Sequence, residues 1–196
     1  MNSEFSISKY TLMTGTIIVV GGPAGTGKTT AASKLSTYFD CPYVEGDALH
    51  PQANIIKMSK GIPLTDDDRW DWLITLTEQT AVKCKEDPHN IAIVTCSMLK
   101  KSYRQLIKDH GKSFNFVFCF LYASFDELVN RVENRKNHYM KSDMVKSQYE
   151  IMEVPEGDEL VENGGDCLAI NTTGKSLDDI FQEICNTIRV GRVIDK

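Results

Sequence analysis

A short glycine-rich run that ends in lysine and threonine carries the strongest chemical signal in this chain. Residues 22–29 read GPAGTGKT and fit the pattern G-x-x-x-x-G-K-[ST] at every fixed position. Glycines within this run allow positive φ angles, which turn backbone N–H groups toward an anion. The ammonium group of Lys28 suits the β- and γ-phosphates of a nucleotide, and the hydroxyl of Thr29 suits Mg²⁺. The pattern therefore predicts a phosphate-binding loop for a nucleoside triphosphate.

The segments on either side of this loop agree with that interpretation. The run TIIVVG before it is apolar and β-branched, and the run KTTAASKLSTYF after it is compatible with a helix. A fortuitous glycine-rich turn, the alternative, does not account for this order of strand, loop and helix. A dinucleotide fold is disfavoured because G-x-G does not continue to a glycine at position 30. The residues expected to contact the nucleotide are Gly22, Pro23, Ala24, Gly25, Thr26, Gly27, Lys28, Thr29 and Thr30.

An aspartate and a histidine follow the second apolar segment directly. We expect Asp47 and His50 at the sheet edge near the phosphate loop. A carboxylate at that place can accept a proton from a substrate hydroxyl, or help to hold Mg²⁺ through water. The alternative is that Asp47 or His50 caps a helix that starts at Pro51. The two residues alone leave both interpretations open.

Three arginines offer cationic groups for anionic ligands. Arg69 follows three consecutive aspartates, and Arg131 and Arg135 lie four residues apart on one predicted helix face. A guanidinium suits a carboxylate or a phosphate, and two stacked guanidinium groups can bracket a triphosphate. For Arg69 the alternative is that the acids at 66–68 simply form the first turn of a helix. For Arg131 and Arg135 the alternative is a solvent-exposed helix face on which they pair with neighbouring glutamates. We favour ligand binding for Arg131 and Arg135 because they directly precede a long polar segment.

Two absences narrow the class of reaction. No acidic residue ends the apolar run at 91–96, so the second magnesium-binding aspartate of many ATPases is missing from this strand. Neither D-x-x-G nor N-K-x-D occurs in the chain, which weighs against a GTPase switch. Transfer of a phosphoryl group to a small molecule is the better interpretation.

Five apolar segments predict the strands that position these residues. The first starts at residue 16, and the others span 42–45, 91–96, 114–121 and 167–171, with helical stretches between them. This alternation predicts an α/β fold, a P-loop NTPase sandwich in which helices cover both faces of a five-stranded parallel sheet. A capping-box pattern at 124–127 predicts a helix running toward residue 136. An apolar stripe predicts a last helix from about residue 177.

Two long polar segments resist assignment to these layers. They span about 46–72 and about 134–165. Insertions after the carboxyl ends of parallel strands lie over the ligand crevice. We therefore expect a substrate-binding segment at 46–72 and a helical lid at 134–165.

Length and composition limit the domains, partners and compartment. The 196 residues suffice for one domain, expected at 16–196 after an N-terminal extension at 1–15. A net charge of −5 argues against nucleic acid as the main partner. The six cysteines include no C-x-x-C pair, which indicates buried thiols in a reducing compartment. We find no signal peptide and no apolar run near the ~20 residues that cross a bilayer, so we expect a cytoplasmic protein without a membrane partner.

The ordered set of motifs resembles that of the gluconokinases over roughly residues 16–190. Besides the phosphate loop, the matching residues are Gly46-Asp47-x-x-His50-Pro51, Asn54-x-x-Lys57-Met58, Gly61-x-Pro63-Leu64-x-Asp66-x-Asp68-Arg69-x-x-Trp72-Leu73, Cys96-Ser97-x-Leu99-Lys100-x-x-Tyr103-Arg104, Arg131-x-x-x-Arg135-x-x-His138, Ser147-Gln148-Tyr149 and Glu153-x-Pro155. The resemblance implies a nucleoside-monophosphate-kinase-like fold with a mobile lid. It also implies a homodimer. The implied reaction is the Mg²⁺-dependent transfer of the γ-phosphate of ATP to the 6-hydroxyl of D-gluconate, and its product enters the pentose phosphate pathway.

The resemblance further implies a role for each matching residue. Asp47 would act as the base. Lys28 and Arg131 would take part in catalysis by binding the phosphates, and Arg135 would also bind them. Thr29 would ligate the metal. The residues expected around the gluconate are Asp47, His50, Lys57, Arg69, Arg104 and His138. Three alternatives stay open: a kinase of the same fold for shikimate or a nucleoside monophosphate, a nucleotide-dependent switch, and a non-catalytic binding module.

Overall fold

Five parallel strands form one sheet at the centre of the molecule. The computed structural model describes residues 14–134 and 142–190. Its strands are β1 (Thr16–Gly21), β2 (Tyr43–Val44), β3 (Ile91–Cys96), β4 (Asn115–Tyr122) and β5 (Cys167–Asn171). They pair in the order β2-β3-β1-β4-β5. The predicted parallel sheet is confirmed, although β2 is shorter than the predicted 42–45 and β4 begins and ends one residue later than predicted.

Helices connect the strands and cover the sheet. Those of the described residues are α1 (Lys28–Phe39), α2 (Gln52–Ser59), α3 (Asp66–Glu86), α4 (Lys101–His110), α5 (Phe125–Glu133), α6 (Ser142–Glu150) and α7 (Leu177–Val190). Short 3₁₀ turns lie at Gly46–Leu49, Gly157–Glu159 and Val161–Asn163. None of these helices combines the length and the apolar character needed to span a lipid bilayer.

The two faces of the sheet pack against different helices. α1 and α7 cover one face, where Ile18 and Val20 of β1 are buried. α3 and α4 cover the other face, against Ile17 and Val19 of the same strand. Alternate side chains of a strand point to opposite faces of the sheet. A strand between two helical layers therefore needs apolar residues at every position.

The apolar stripe predicted for the last helix is largely confirmed. Its later positions, Ile180, Ile184, Cys185 and Ile188, are all buried. Leu177 departs from the prediction, because 44% of its surface is exposed. It is the first residue of α7, and its side chain lies beside Gly27 of the phosphate loop rather than under the helix.

The capping box predicted at 124–127 is wrong, and a different one starts α3. Ser124 is the N-cap residue of α5, but its side chain makes no capping hydrogen bond. The carboxylate of Glu127 instead accepts a hydrogen bond of 2.9 Å from Nε of Arg131, and α5 ends at residue 133, short of the predicted 136. At α3, the side chain of Thr65 accepts from the N–H of Asp68, and the Asp68 carboxylate accepts from the N–H of Thr65.

The carboxyl ends of the strands meet at one edge of the sheet. The phosphate loop follows β1, the 3₁₀ turn Gly46–Leu49 follows β2, and Ser97 follows β3. β3 lies between β1 and β2, so these three connections are neighbours. Open α/β sheets bind ligands in the crevice outside these ends, and this edge is therefore where the candidate site must be sought.

Candidate active site

The loop after β1 has the backbone geometry that binds an anion. Gly22, Gly25 and Gly27 have φ angles of 125°, 90° and 90°, which confirms the positive φ angles predicted for them. At Gly22 the requirement is also steric, since a Cβ atom there would lie 1.9 Å from the carbonyl oxygen of Leu121. α1 begins at Lys28 with Gly27 as its N-cap, so the first N–H groups of the helix face the loop.

Side chains hold this loop in shape. Thr26 Oγ1 and Lys28 Nζ each donate a hydrogen bond of 2.9 Å to the carbonyl oxygen of Pro23. From α6, Oε1 of Gln148 accepts a hydrogen bond of 2.8 Å from the N–H of Ala24. A loop fixed in this way loses little further freedom when it binds phosphates, which favours tight and oriented binding.

A cavity of about 710 Å³ opens beside the loop, between α5 and the start of α7. Its lining includes Gly25, Gly27, Thr30, Arg131, Lys175 and Leu177. The guanidinium of Arg131 is held at the cavity wall, where Nη1 and Nη2 donate to the hydroxyl and the carbonyl oxygen of Thr172 at 3.0 and 2.7 Å. The volume is that of a ligand site, and its place lets a nucleotide extend from the loop.

A second cavity of about 300 Å³ lies on the other side of the loop. Its polar lining consists of Asp47, His50, Ser59, Arg69, Ser97 and Gln148, and its apolar lining consists of Ile55, Met58, Leu64 and Met144. Three of the residues predicted to hold the substrate, Asp47, His50 and Arg69, are thus brought together. A small polar molecule in this cavity would meet a carboxylate, an imidazole and a guanidinium.

His50 is held rigidly in the wall of the second cavity. Its ring stacks on that of Trp72, with a distance of 4.0 Å between the ring centroids and 17° between the planes. Nδ2 of Asn54 lies 3.4 Å from Nδ1, and Oδ1 of Asp47 lies 4.0 Å from Nε2. Burial lowers the pKa of His50, and the Asp47 carboxylate opposes that shift. His50 is therefore placed to offer a neutral imidazole to a ligand.

Arg69 reaches the same cavity from α3 and is itself buried. Its Nη1 atom donates to the carbonyl oxygen of Leu64 at 2.6 Å and to the hydroxyl of Tyr103 at 3.4 Å. Tyr103 in turn donates to Asp66, and Lys100 donates to both carboxylate oxygens of Asp66 at 2.8 Å. The acids at 66–68 do form the first turn of α3, as the alternative interpretation held. Asp66 also holds Tyr103 and Lys100 in place behind Arg69.

Two predicted substrate ligands do not line this cavity. Lys57 lies on α2 and pairs with Oδ1 of Asp68 at 2.5 Å. Arg104 is 2% exposed and makes a two-pronged ion pair with Glu159, with distances of 3.0 and 2.9 Å. Nη1 of Arg104 also donates to the carbonyl oxygen of Glu153 at 3.1 Å. The structure places the charge of Arg104 in this buried ion pair rather than in the cavity. The Lys57 side chain is 41% exposed, and its assignment to the substrate stays a prediction.

Two further predicted residues cannot be placed. Arg135 and His138 lie outside the described residues, within 135–141. Their assignment to the phosphates and the substrate stays a prediction.

Glu45 is a candidate that the sequence interpretation missed. Its carboxylate accepts a hydrogen bond of 3.2 Å from the Thr29 hydroxyl, and also hydrogen bonds from Tyr43 and Thr95. Burial, with the Glu45 carboxylate acting in the same direction, raises the pKa of Tyr43 to about 12, so the phenol remains a donor. The expectation of a second acid was tied to the end of β3, whereas Glu45 directly follows β2, the strand beside it. The signal that could have identified Glu45 was an acidic residue directly after the second apolar segment, immediately before Gly46 and Asp47.

The donors near Thr29 suit a hard cation bound together with phosphates. Thr29 and Glu45 present only oxygen atoms, and Mg²⁺ binds through few protein oxygens plus substrate phosphates and water. Within residues 14–134 and 142–190, no three histidine, cysteine or acidic side chains form a metal-binding group. The residues therefore fit a metal that arrives with the nucleotide rather than one held in a cage of side chains.

Comparison with known proteins agrees with this geometry. The family described as AAA domain matches residues 18–153. A probable gluconokinase of Saccharomyces cerevisiae is 39% identical over 178 residues, covering 88% of this chain and 90% of the relative. A probable gluconokinase of Schizosaccharomyces pombe is 45% identical over 156 residues, covering 76% and 81%. The crystal structure of a gluconokinase from Sinorhizobium meliloti superposes with a TM-score of 0.76 at 34% identity, covering 92% of this chain and 95% of that one.

Proposed function

The chain belongs to the gluconokinase family, within the wider AAA domain family, and we propose that it transfers the γ-phosphoryl group of ATP to the 6-hydroxyl of D-gluconate. The products are 6-phospho-D-gluconate and ADP, and the product feeds the pentose phosphate pathway. One observation of the structure supports the assignment above the others. Asp47, His50 and Arg69 line one cavity, and Gln148 in the same wall is hydrogen bonded to the phosphate loop.

The nucleotide is proposed to occupy the larger cavity. The N–H groups of the phosphate loop and of the first turn of α1 bind the β- and γ-phosphates, and the Lys28 ammonium neutralises their charge. Arg131, in the wall of that cavity, supplies a second cationic group. Arg135 extends this set in the proposal.

Mg²⁺ is proposed to be held by the Thr29 hydroxyl and the nucleotide phosphates. When bound, it would neutralise charge on the β- and γ-phosphate oxygens during transfer. Glu45 positions the Thr29 hydroxyl through the hydrogen bond of 3.2 Å between them.

D-Gluconate is proposed to occupy the smaller cavity. Its carboxylate and hydroxyl groups would bind to Arg69 and His50, and His138 would complete this set. The 6-hydroxyl oxygen attacks the γ-phosphorus in line, its proton passes to the Asp47 carboxylate, and the bond between the γ-phosphorus and the bridging oxygen breaks to release ADP. Asp47 suits this role because its side chain borders the cavity and remains 67% exposed.

The segments that flank the cavity are proposed to bind the acceptor and to close over it. Residues 46–72 supply Asp47, His50 and Arg69. The lid expected at 134–165 stays a proposal, and in the structure α6 of this segment lies against the phosphate loop, where Gln148 accepts the hydrogen bond from Ala24. From Glu153 onward the segment is tied to the core, since the N–H of Glu153 donates to the carbonyl oxygen of Leu99 at 2.8 Å and Glu159 pairs with Arg104.

Release of ADP from purified protein tests the proposed function. The assay contains Mg·ATP and, one at a time, D-gluconate, related sugar acids, shikimate, glycerol and nucleoside monophosphates. We expect a rate with D-gluconate far above all others. A high rate with a different acceptor would leave the phosphate site intact and overturn the assignment of the smaller cavity.

We further propose a cytoplasmic homodimer. All six cysteines are free thiols, as expected in a reducing compartment. The dimer rests on the resemblance to the family. Light scattering behind size exclusion gives the mass in solution, and the mass of a single chain at micromolar concentration would contradict a dimer.

A further inference from the structure

Gln148 connects the phosphate loop to the cavity proposed for the acceptor. It lies on α6, and Oε1 accepts the hydrogen bond of 2.8 Å from the N–H of Ala24. The same side chain borders the cavity that Asp47, His50 and Arg69 line. Gln148 therefore stands where the two substrates would meet.

The hydrogen bond to Ala24 fixes which end of the carboxamide is left for a ligand. A backbone N–H can only donate, so the atom that faces Ala24 must be the amide oxygen. The Nε2 amino group, with two N–H donors and no acceptor capacity, is the end that remains for a ligand. Sugar acids present hydroxyl and carboxylate oxygens, which accept such hydrogen bonds.

α6 is packed firmly enough to hold this side chain in place. Val145, one turn earlier, is fully buried in a small apolar cluster that also contains Ala24, Leu128 and Val132. The ring of Tyr149 contacts that of Phe125 edge-on, with 5.4 Å between the ring centroids. The residues on either side of Gln148 thus anchor it to α5 and to the loop itself.

We propose that Gln148 binds the acceptor and sets its position relative to the phosphate loop. Nε2 donates a hydrogen bond to an oxygen of the sugar acid, while Oε1 holds the side chain to Ala24. This inference rests on the proposed function, because it takes the smaller cavity as the acceptor site. It adds a residue that binds a hydroxyl oxygen at one stereocentre of the acceptor and so contributes to the choice of acceptor.

The test compares Gln148→Met with Gln148→Glu. Methionine keeps the length of the side chain and removes the amide group, whereas glutamate keeps an acceptor for the Ala24 N–H and removes the donors. We expect Gln148→Met to raise KM for D-gluconate about tenfold, the effect of losing one hydrogen bond to the acceptor, with a smaller rise in KM for ATP because the bond to Ala24 is also lost. Gln148→Glu is expected to raise KM for D-gluconate at least as much.

A second measurement separates acceptor binding from mere support of the loop. The ratio of kcat/KM for D-gluconate to that for epimers of D-gluconate is measured in the wild type and in Gln148→Met. If Gln148 binds one acceptor oxygen, the ratio falls toward 1 for the epimer altered at that carbon. An unchanged ratio with every epimer, or a rise in KM for ATP alone, would overturn the inference.

Two controls complete the experiment. Gln182→Met makes the same chemical change at an exposed position of α7, and we expect wild-type kinetics. Thermal unfolding of each variant shows whether α6 stays in place. If the wild type phosphorylates D-gluconate but Gln148→Met has unaltered constants and epimer ratios, this inference fails and the proposed function stands. If the wild type does not use D-gluconate, the proposed function fails first.

Discussion

Asp47 is the residue on which the proposed chemistry depends most directly. Its carboxylate borders the smaller cavity and is not buried in an ion pair with lysine or arginine within the described residues. We expect Asp47→Asn to lower kcat about a hundredfold or more, because general base catalysis contributes about 10²- to 10⁴-fold. KM for ATP should change little, since the phosphate loop is untouched. Steady-state kinetics with D-gluconate measures both constants, and near-normal kcat would remove Asp47 from the role of base.

His50 gives the protein a pH dependence of stability with a defined sign. Burial lowers its pKa from the ordinary value of 6.5, so the folded protein resists a proton that the unfolded chain accepts near that pH. The contribution to stability is complete above pH 6.5 and declines as the pH falls below it. We expect His50→Gln to flatten the decline in unfolding free energy between pH 7.5 and pH 5.5, measured by urea denaturation. Parallel declines in the variant and the wild type would contradict this assignment.

At the scale of elements, the ion pair between Arg104 and Glu159 joins α4 to the segment before β5. The side chains are 2% and 14% exposed, so removal of one charge leaves the other buried. We expect Arg104→Met to lower the unfolding free energy by about 3 kcal/mol, the typical cost of breaking a buried pair. KM for D-gluconate should change less than twofold in the folded protein.

An exposed pair on the same helix is the matched control for that experiment. Nζ of Lys101 lies 3.3 Å from Oδ1 of Asp158 and 3.9 Å from Oε2 of Glu159, but the Lys101 side chain is more than half exposed, so its loss leaves no buried charge without a partner. Lys101→Met should cost less than about 1 kcal/mol. If instead Arg104→Met left stability intact and raised KM for D-gluconate, Arg104 would be assigned to substrate binding after all.

Different elements were predictable from the sequence to different degrees. β1, the phosphate loop and the start of α1 were found because local rules fix them: an apolar run, then glycines that need positive φ, then a helix. The partner of Arg104 was not predictable, since Glu159 lies 55 residues away and a guanidinium suits a ligand and a buried carboxylate equally well.

Caps and short-range pairs show the same limit. Among the described helix starts, three sequences fit a capping box, at 65–68, at 124–127 and at 176–179, and all but the second form one. At the second, Arg131 lies one turn further along and draws the Glu127 carboxylate away from the helix start. A local sequence pattern indicates which hydrogen bonds a side chain could form. Competition among neighbouring donors and acceptors determines which of them it does form.

At the scale of the whole molecule, ligand binding should stabilise the fold in a way that depends on metal. A ligand at a hundred times its Kd stabilises the native state by about 2.7 kcal/mol. We expect Mg·ADP to raise Tm, and we expect EDTA to remove part of that increase. In Thr29→Val the increase should no longer depend on Mg²⁺, because the hydroxyl beside Glu45 is gone. Differential scanning calorimetry measures the shifts, and an undiminished effect of Mg²⁺ in Thr29→Val would contradict the proposed metal ligand.

Alkylation of the six buried cysteines would measure how the folded structure opens. Burial raises the pKa of Cys41, Cys96 and Cys167 to about 12 and that of Cys84 to about 11, so few thiolates exist in the folded state at neutral pH. An alkylating reagent would then mark each cysteine only as fast as its surroundings come apart. The thiols are spread over the whole architecture, with Cys84 in α3, Cys167 in β5 and Cys185 in α7. The order in which peptides gain the label would map the order in which the layers separate, without any engineered probe.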